Sequence, residues 1–196
     1  MTNPKRTRLS PHDRRMQLLD CACTIILDLG LSSFTMEALA REANVSNPLI
    51  YKYFDTRRVV LQELLIRESK RFDSELELQV ISAKDYHELV TLIVSGNFEQ
   101  FSSNNIITIL RDQPDIYEVV AVDERKKRSV MARFLVKSLA DQFTVDRKKA
   151  EQLVVLASGA SLAAAAHYDR FGGNKAEMIN STVQFIFGGI DSLLPG

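Results

Sequence analysis

With only two cysteines in 196 residues, and 25 basic side chains cancelling 25 acidic ones, the chain offers few of the usual chemical signposts. Cys21 and Cys23 stand two apart in a helical pattern, so they point to different faces and cannot share a metal ion. They read as small buried residues in a reducing cytoplasm. No glycine-rich phosphate loop, nucleophile elbow or metal-spaced cluster occurs. No strand pattern of any length, internal repeat or low-complexity linker appears. No apolar run is long enough to span a membrane, and the basic, then amphipathic N-terminus lacks the form of a secretory signal. What remains is an ordinary globular composition, 45% hydrophobic and 26% charged, with enough apolar material for a real core. Neutrality alone argues against a nucleic-acid partner, but distribution matters more than the total. Residues 1–70 hold 11 Lys and Arg against 8 Asp and Glu, a small excess of the right sign.

The most informative stretch is residues 34–57, FTMEALAREANVSNPLIYKYFDTR. Thr35 is placed to cap a short helix whose Met36, Leu39, Ala40 and Ala43 recur at helical spacing. Asn44 falls where the chain must turn, and asparagine tolerates a left-handed backbone. Ser46 stands in the cap position of a second helix, with Pro48 in its first turn, where a missing N–H costs nothing. Ile50 and Phe54, one turn apart, face inward over Val45. Asn47, Pro48, Leu49, Tyr51 and Lys52 are left outward or flanking the buried stripe. A helix, a tight turn and a capped helix with a polar outer face is the layout of a helix-turn-helix.

Upstream, Ser10-Pro11 reads as a cap and first-turn proline. Leu18, Leu19, Ala22, Ile26 and Leu29 then share a face of a helix that ends at Gly30. Before it, Lys5, Arg6 and Arg8 lie in a segment too polar to fold alone. Such an arm can reach a phosphate or the minor groove, or can be a frayed, solubilising terminus.

Residues 14–65 resemble the N-terminal domain of TetR-type transcriptional regulators. The likeness rests on Gly30, Thr35, Leu39-Ala40, Ala43, Val45-Ser46, Tyr51, Phe54 and Arg57. It covers about a third of the chain. The resemblance implies phosphate contacts from Thr35, Tyr51, Tyr53 and Arg57, with Ser46, Asn47, Leu49 and Lys52 in or near the major groove. Three positions depart from the family pattern. Asn44 replaces the usual glycine, Pro48 a small residue, and Leu49 what is often a hydroxyl residue. Leu49 can offer a base only apolar contact, such as to a thymine methyl, whereas Asn47 suits adenine and Lys52 guanine.

The rest reads as helices, near 56–81, 85–103, 104–111, 115–143, 146–171 and 174–194. The expected fold is all-α with about nine helices. A helix-turn-helix domain fills residues 1–56, with a flexible arm at 1–9, and a helical ligand-binding and dimerisation domain fills 57–196. Small residues at 153–166 (LVVLASGASLAAAA) and the amphipathic helix after them suit either the protomer's own core or close packing against a second copy. The resemblance favours the second: a homodimer through the last two helices, reading a palindromic operator in double-stranded DNA.

Phe72, Phe98, Phe101, Ile107, Leu110, Tyr117, Met131 and Phe134 are scattered through the middle helices. Composition alone makes them core. The resemblance makes most of them, with His167, candidates to line a pocket for an unidentified apolar effector. His167-Tyr168-Asp169 fans out around its helix and cannot converge on a substrate; His167 reads as a core or pocket histidine, and His87 as solvated. Arg125-Lys126-Lys127-Arg128 reads as a solvated face. The leading expectation is a cytoplasmic, ligand-released repressor that needs no cofactor. The alternative is the same DNA-binding fold with a protein partner instead of a small molecule. A small helical enzyme is disfavoured, because no catalytic groups converge.

Overall fold

The structure, a computed structural model, describes residues 9–102 and 105–194. Among them are nine α-helices, one short 3-10 turn and no strand. The helices are α1 (Pro11–Leu29), α2 (Met36–Glu42), α3 (Asn47–Tyr53), α4 (Arg57–Ser82), α5 (Tyr86–Gln100), α6 (Ile106–Arg111), α7 (Pro114–Phe143), α8 (Arg147–Phe171) and α9 (Lys175–Leu193). The arm residues Lys5, Arg6 and Arg8 lie outside the described residues. No helix described is long and apolar enough to cross a membrane, and no group of three potential metal ligands occurs among the described residues.

Local chemistry sets the helix ends. Side-chain oxygens of Ser10, Thr35, Thr56, Asp85, Asn105, Asp146 and Asn174 each accept a hydrogen bond from a backbone N–H in the first turn of the helix that follows. Asn44 and Thr144 adopt left-handed backbone at the ends of α2 and α7, with φ of 51° and 52°. The first is the turn anticipated from asparagine's tolerance of that region; the second goes unannounced in the sequence.

The helices pack around two hydrophobic cores. One joins α1, α2, α3 and the first half of α4 with Ile106, Ile107 and Leu110 of α6 and with Ile116 and Val120 of α7. The other gathers the end of α4, α5, the later part of α7, α8 and α9. The core beneath the helix-turn-helix therefore does not stop at Thr56: it borrows apolar side chains from more than forty residues further along the chain. At 1.5 Å per residue, the 26-residue α4 is about 39 Å long and the 30-residue α7 about 45 Å, so each runs past both cores.

Candidate nucleic-acid interface

The turn between α2 and α3 is closed by backbone bonds. The Ala43 N–H donates to Leu39 O at 3.0 Å, Asn44 N–H to Arg41 O at 3.1 Å, and Val45 N–H reaches back to Ala40 O at 3.0 Å. This pattern satisfies the end carbonyls of α2 as the chain reverses. Beneath the turn, Leu39, Ile50 and Phe54 are fully buried, with Val45 packed half-buried against them. Burying Ile50 and Phe54 fixes the rotation of α3, and with it the residues that face out. Asn47, Pro48, Tyr51 and Lys52 are exposed, Tyr51 at 47%, while Leu49 and Tyr53 are half-buried. Lys52 makes no ion pair among the described residues.

Two of the anticipated side chains do other or less work than their position suggests. Ser46 occupies the cap position of α3, but its side chain makes no capping hydrogen bond, so the exposed hydroxyl remains available outward. Arg57 points its fork inward. Nε donates to Phe34 O at 2.8 Å and a terminal nitrogen to Leu31 O at 3.0 Å, which ties α4 to the link between α1 and α2. Thr35 is exposed, and its hydroxyl oxygen accepts from Ala38 N–H at 3.0 Å. Sequence reading passed over Arg41, exposed in the last turn of α2 beside the turn and unpaired among the described residues. Its only sequence signal is a cation next to the turn, which many surface helices share.

A charged network holds this unit against α4. Glu68, only 3% exposed, is gripped by Arg67 at 2.7 Å and Arg71 at 3.1 Å. Arg67 also donates to Met16 O and to Asp20 on α1. Arg15 makes a bidentate pair with Glu63 and lies over the Phe54 ring at 4.6 Å. The hydrogen bonds that Arg15 donates to Glu63 push its pKa further up, against the opposing effect of burial. Burial likewise raises both Cys21 and Cys23 thiols above their ordinary range, which suppresses thiolate reactivity.

Residues 18–64 match the sequence profile described as bacterial regulatory proteins of the tetR family. The helix-turn-helix end of the chain is thus similar to the DNA-binding domain of that family. The chain is 26% identical over 100 residues to the HTH-type transcriptional regulator BetI of Vibrio atlanticus, a match covering half of each protein. The chain thus spans about half the length of the curated relatives it matches. Its fold extends further. A TetR-like transcriptional regulator from Rhodococcus sp. RHA1 superimposes with a TM-score of 0.64 at 19% identity, over 94% of this chain and 99% of that one. A regulator from Saccharomonospora viridis in complex with choline gives 0.64 at 14% identity, over 93% and 98%. The likeness in fold therefore spans nearly the whole chain, whereas recognisable sequence likeness is concentrated at the helix-turn-helix end.

The fold separates the eight residues expected to line one ligand pocket. Ile107 and Leu110 are buried in the core beneath the helix-turn-helix, and Tyr117 packs against them. Phe98 is buried in the other core, with Met131 beside it. Phe101 and Phe134 are exposed. His167, expected in a core or pocket, is exposed instead, its ring 4.7 Å from that of Phe171. His87 is exposed as expected, though stacked on Phe187 at 4.8 Å. Neither of the two clefts described next gathers these residues; helical spacing says which residues share a face but not which helices will enclose that face.

Two clefts among the described residues bear on ligand binding. One, of about 30 Å³, lies among α5, α7, α8 and α9 beside Tyr86, Val94 and Ser161. On the same measure a single water needs roughly 10–15 Å³, so this space suits a water or two. The other, of about 200 Å³, runs between α4 and α7 and is walled by Ile66, Ser69, Lys70, Val119, Val120, Asp123, Glu124 and Lys127.

Proposed function

We propose that the chain is a sequence-specific DNA-binding transcriptional regulator that acts in the cytoplasm as a homodimeric repressor on a palindromic operator. The observation that carries this reading is the outer face of α3, with Asn47, Tyr51 and Lys52 exposed and Lys52 uncompensated, held in register by buried Ile50 and Phe54. Asn47, Leu49, Lys52 and the free Ser46 hydroxyl approach base edges. Thr35, Tyr51 and Tyr53 meet phosphates, and the arm residues Lys5, Arg6 and Arg8 add backbone or minor-groove contacts. Arg57 serves this face by bracing it.

The outer surface of α8 and α9 supports the dimer. Val155, Leu156, Leu162, Phe185 and Leu193 are exposed, Phe185 at 72%. A methyl group built on Gly159, Gly188 or Gly189 would meet nothing within 4 Å, so these glycines fill no tight spot inside the protomer. Exposed apolar residues interleaved with bare backbone suit close approach of a second copy. A two-fold dimer would read two half-sites spaced by whole helical turns.

Release by a small effector is the second half of the proposal. Ligand binding that favours a conformer with poor DNA fit weakens DNA, and DNA weakens ligand by the same factor. Support comes from the shared core, in which α6 and the start of α7 pack against the helix-turn-helix. The fold relative from Saccharomonospora viridis holds choline. The apolar residues exposed away from α8 and α9, among them Leu78, Ile81 and Val130, favour the protein-partner reading instead.

Selection from a random DNA pool, followed by gel shift at two salt concentrations, tests the DNA-binding core. A palindrome should emerge, with affinity falling as salt rises. Absence of any shift at low salt sinks the reading. Lys52→Ala should cost about 1–3 kcal/mol against the preferred base and little elsewhere; a uniform loss would make Lys52 a phosphate contact.

A further inference from the structure

We propose that the cleft between α4 and α7 is a binding site for a short aliphatic carboxylate. The chemistry of the site stands on the cleft alone, while its regulatory consequence rests on the DNA-binding reading above.

Size favours this cleft, because its 200 Å³ admits a small organic molecule where the 30 Å³ space does not. Its walls are coherent. Ile66, Ser69 and Lys70 share one face of α4 through i, i+3 and i+4 spacing, and Val119, Asp123 and Lys127 repeat every four residues along α7.

The walls also contain one unmet need. Ser69 is 6% exposed, and its Oγ is the buried side-chain polar atom without a hydrogen-bond partner among the described residues. A serine inside a helix ordinarily donates to the carbonyl one turn back. Native proteins leave few such hydroxyls unpaired, and a wall of a cleft is where a ligand can pair one.

Charge selects the ligand. Lys127 is bonded to Asp73 at 2.6 Å and to Asp123 at 3.0 Å, which pushes its pKa up. Glu124 accepts from Arg111 at 2.7 Å and from the Tyr117 hydroxyl at 3.2 Å. A cationic ligand would thus find the carboxylates of the walls already engaged. Lys70, one residue from the orphan hydroxyl, has no ionic partner among the described residues. A carboxylate accepts from both Ser69 Oγ–H and the Lys70 ammonium, while its hydrocarbon tail lies on Ile66, Val119 and Val120. A neutral amide would satisfy the hydroxyl and leave the ammonium bare.

Position gives the site a consequence. On the α3 side it is bounded by two ties between the same helices, the Arg58–Glu118 ion pair and the bond from Gln62 Nε2 to Asp115 O at 3.1 Å. Lys127–Asp73 closes the other side. A molecule seated between these ties sets the separation of α4 and α7, and α4 begins four residues after α3.

Calorimetric titration of the full chain with pentanoate, pentanamide and pentylammonium is the test. Pentanoate should bind about tenfold or more tightly than the other two, the margin of a charge-assisted hydrogen bond. Lys70→Met should reduce pentanoate to the level of pentanamide. Ser69→Ala should weaken both without lowering the melting temperature, since it removes an unpaired hydroxyl. Val119→Phe, at a position exposed enough to accept the ring, should block the cleft. Equal binding of acid and amide, preference for the amine, indifference to these substitutions, or no heat at millimolar pentanoate would each overturn the proposal. Gel shift with and without pentanoate separates the two readings. A chain that binds pentanoate but no DNA keeps the site and loses the regulator. One that binds DNA but not pentanoate does the reverse.

Discussion

The guanidinium of Arg57 donates from Nε to the carbonyl of Phe34 at 2.8 Å and stands 5.7 Å over the same residue's ring. One side chain thereby fixes the start of α4 to the segment that positions α2. Arg57→Ala should lower stability by about 1–3 kcal/mol, because two carbonyls lose a charged donor. Lysine should recover only part of this, lacking the planar fork. Denaturant titration measures the stability loss. The salt dependence of DNA binding decides the role: a brace leaves the slope unchanged, whereas loss of a phosphate contact reduces it by about 1.

Asn44 sits at φ 51°, a region that a β-branched side chain resists. Asn44→Val should cost roughly 1–2 kcal/mol, and Asn44→Gly should be close to neutral or slightly stabilising. Urea midpoints of the two variants provide the comparison. Equal midpoints would mean that the turn can re-form with another backbone geometry.

Tyr86 is wedged edge-on against Phe143 at 5.6 Å and Phe187 at 6.1 Å, and burial pushes its phenol from 10.0 up to about 12. The folded chain holds the neutral phenol more strongly than the unfolded chain does. This contribution is fully present below pH 10 and is lost as pH rises toward 12. Its size is roughly 1.4–2.7 kcal/mol, at one to two pH-unit equivalents of 1.36 kcal/mol each. Thermal melts at pH 9 to about 11.5 should show Tyr86→Phe losing less stability than the parent. Parallel decline in both would place the alkaline sensitivity elsewhere.

Phe185 projects from α9 with 72% of its surface open. If a second copy covers it, Phe185→Glu should yield a monomer that melts lower and binds a palindrome at least tenfold more weakly, since the two half-sites are no longer engaged together. Light scattering reads the mass. An unchanged dimer would move the interface away from this face.

Legibility in the sequence followed the range of the interactions involved. Caps such as Thr35, Thr56 and Asp146, and the left-handed Asn44, act within a few residues, so their helix boundaries could be read to within a few positions. The burial of Ile50 and Phe54 followed from periodicity. Long-range placement did not. Nothing in the pattern of Ile107 and Leu110 says that they pack beneath the helix-turn-helix while Phe98 joins the other core. The inward turn of Arg57 depends on carbonyls more than twenty residues away. Ser46 shows the opposite case: its position was legible, but the unused capping bond depends on a side-chain rotamer that sequence does not specify.

Between Arg57 and Ser82, α4 contains neither glycine nor proline. Such a helix has no built-in place to bend, so it transmits tilt instead of absorbing it. Over about 39 Å, a rotation of about 5° at one end displaces the other by about 3 Å, close to the rise of one base pair. Whatever moves the far end of α4 by a few degrees therefore changes the register in which α3 meets its target. The uninterrupted helix makes angle, and not contact, the quantity carried through the protein.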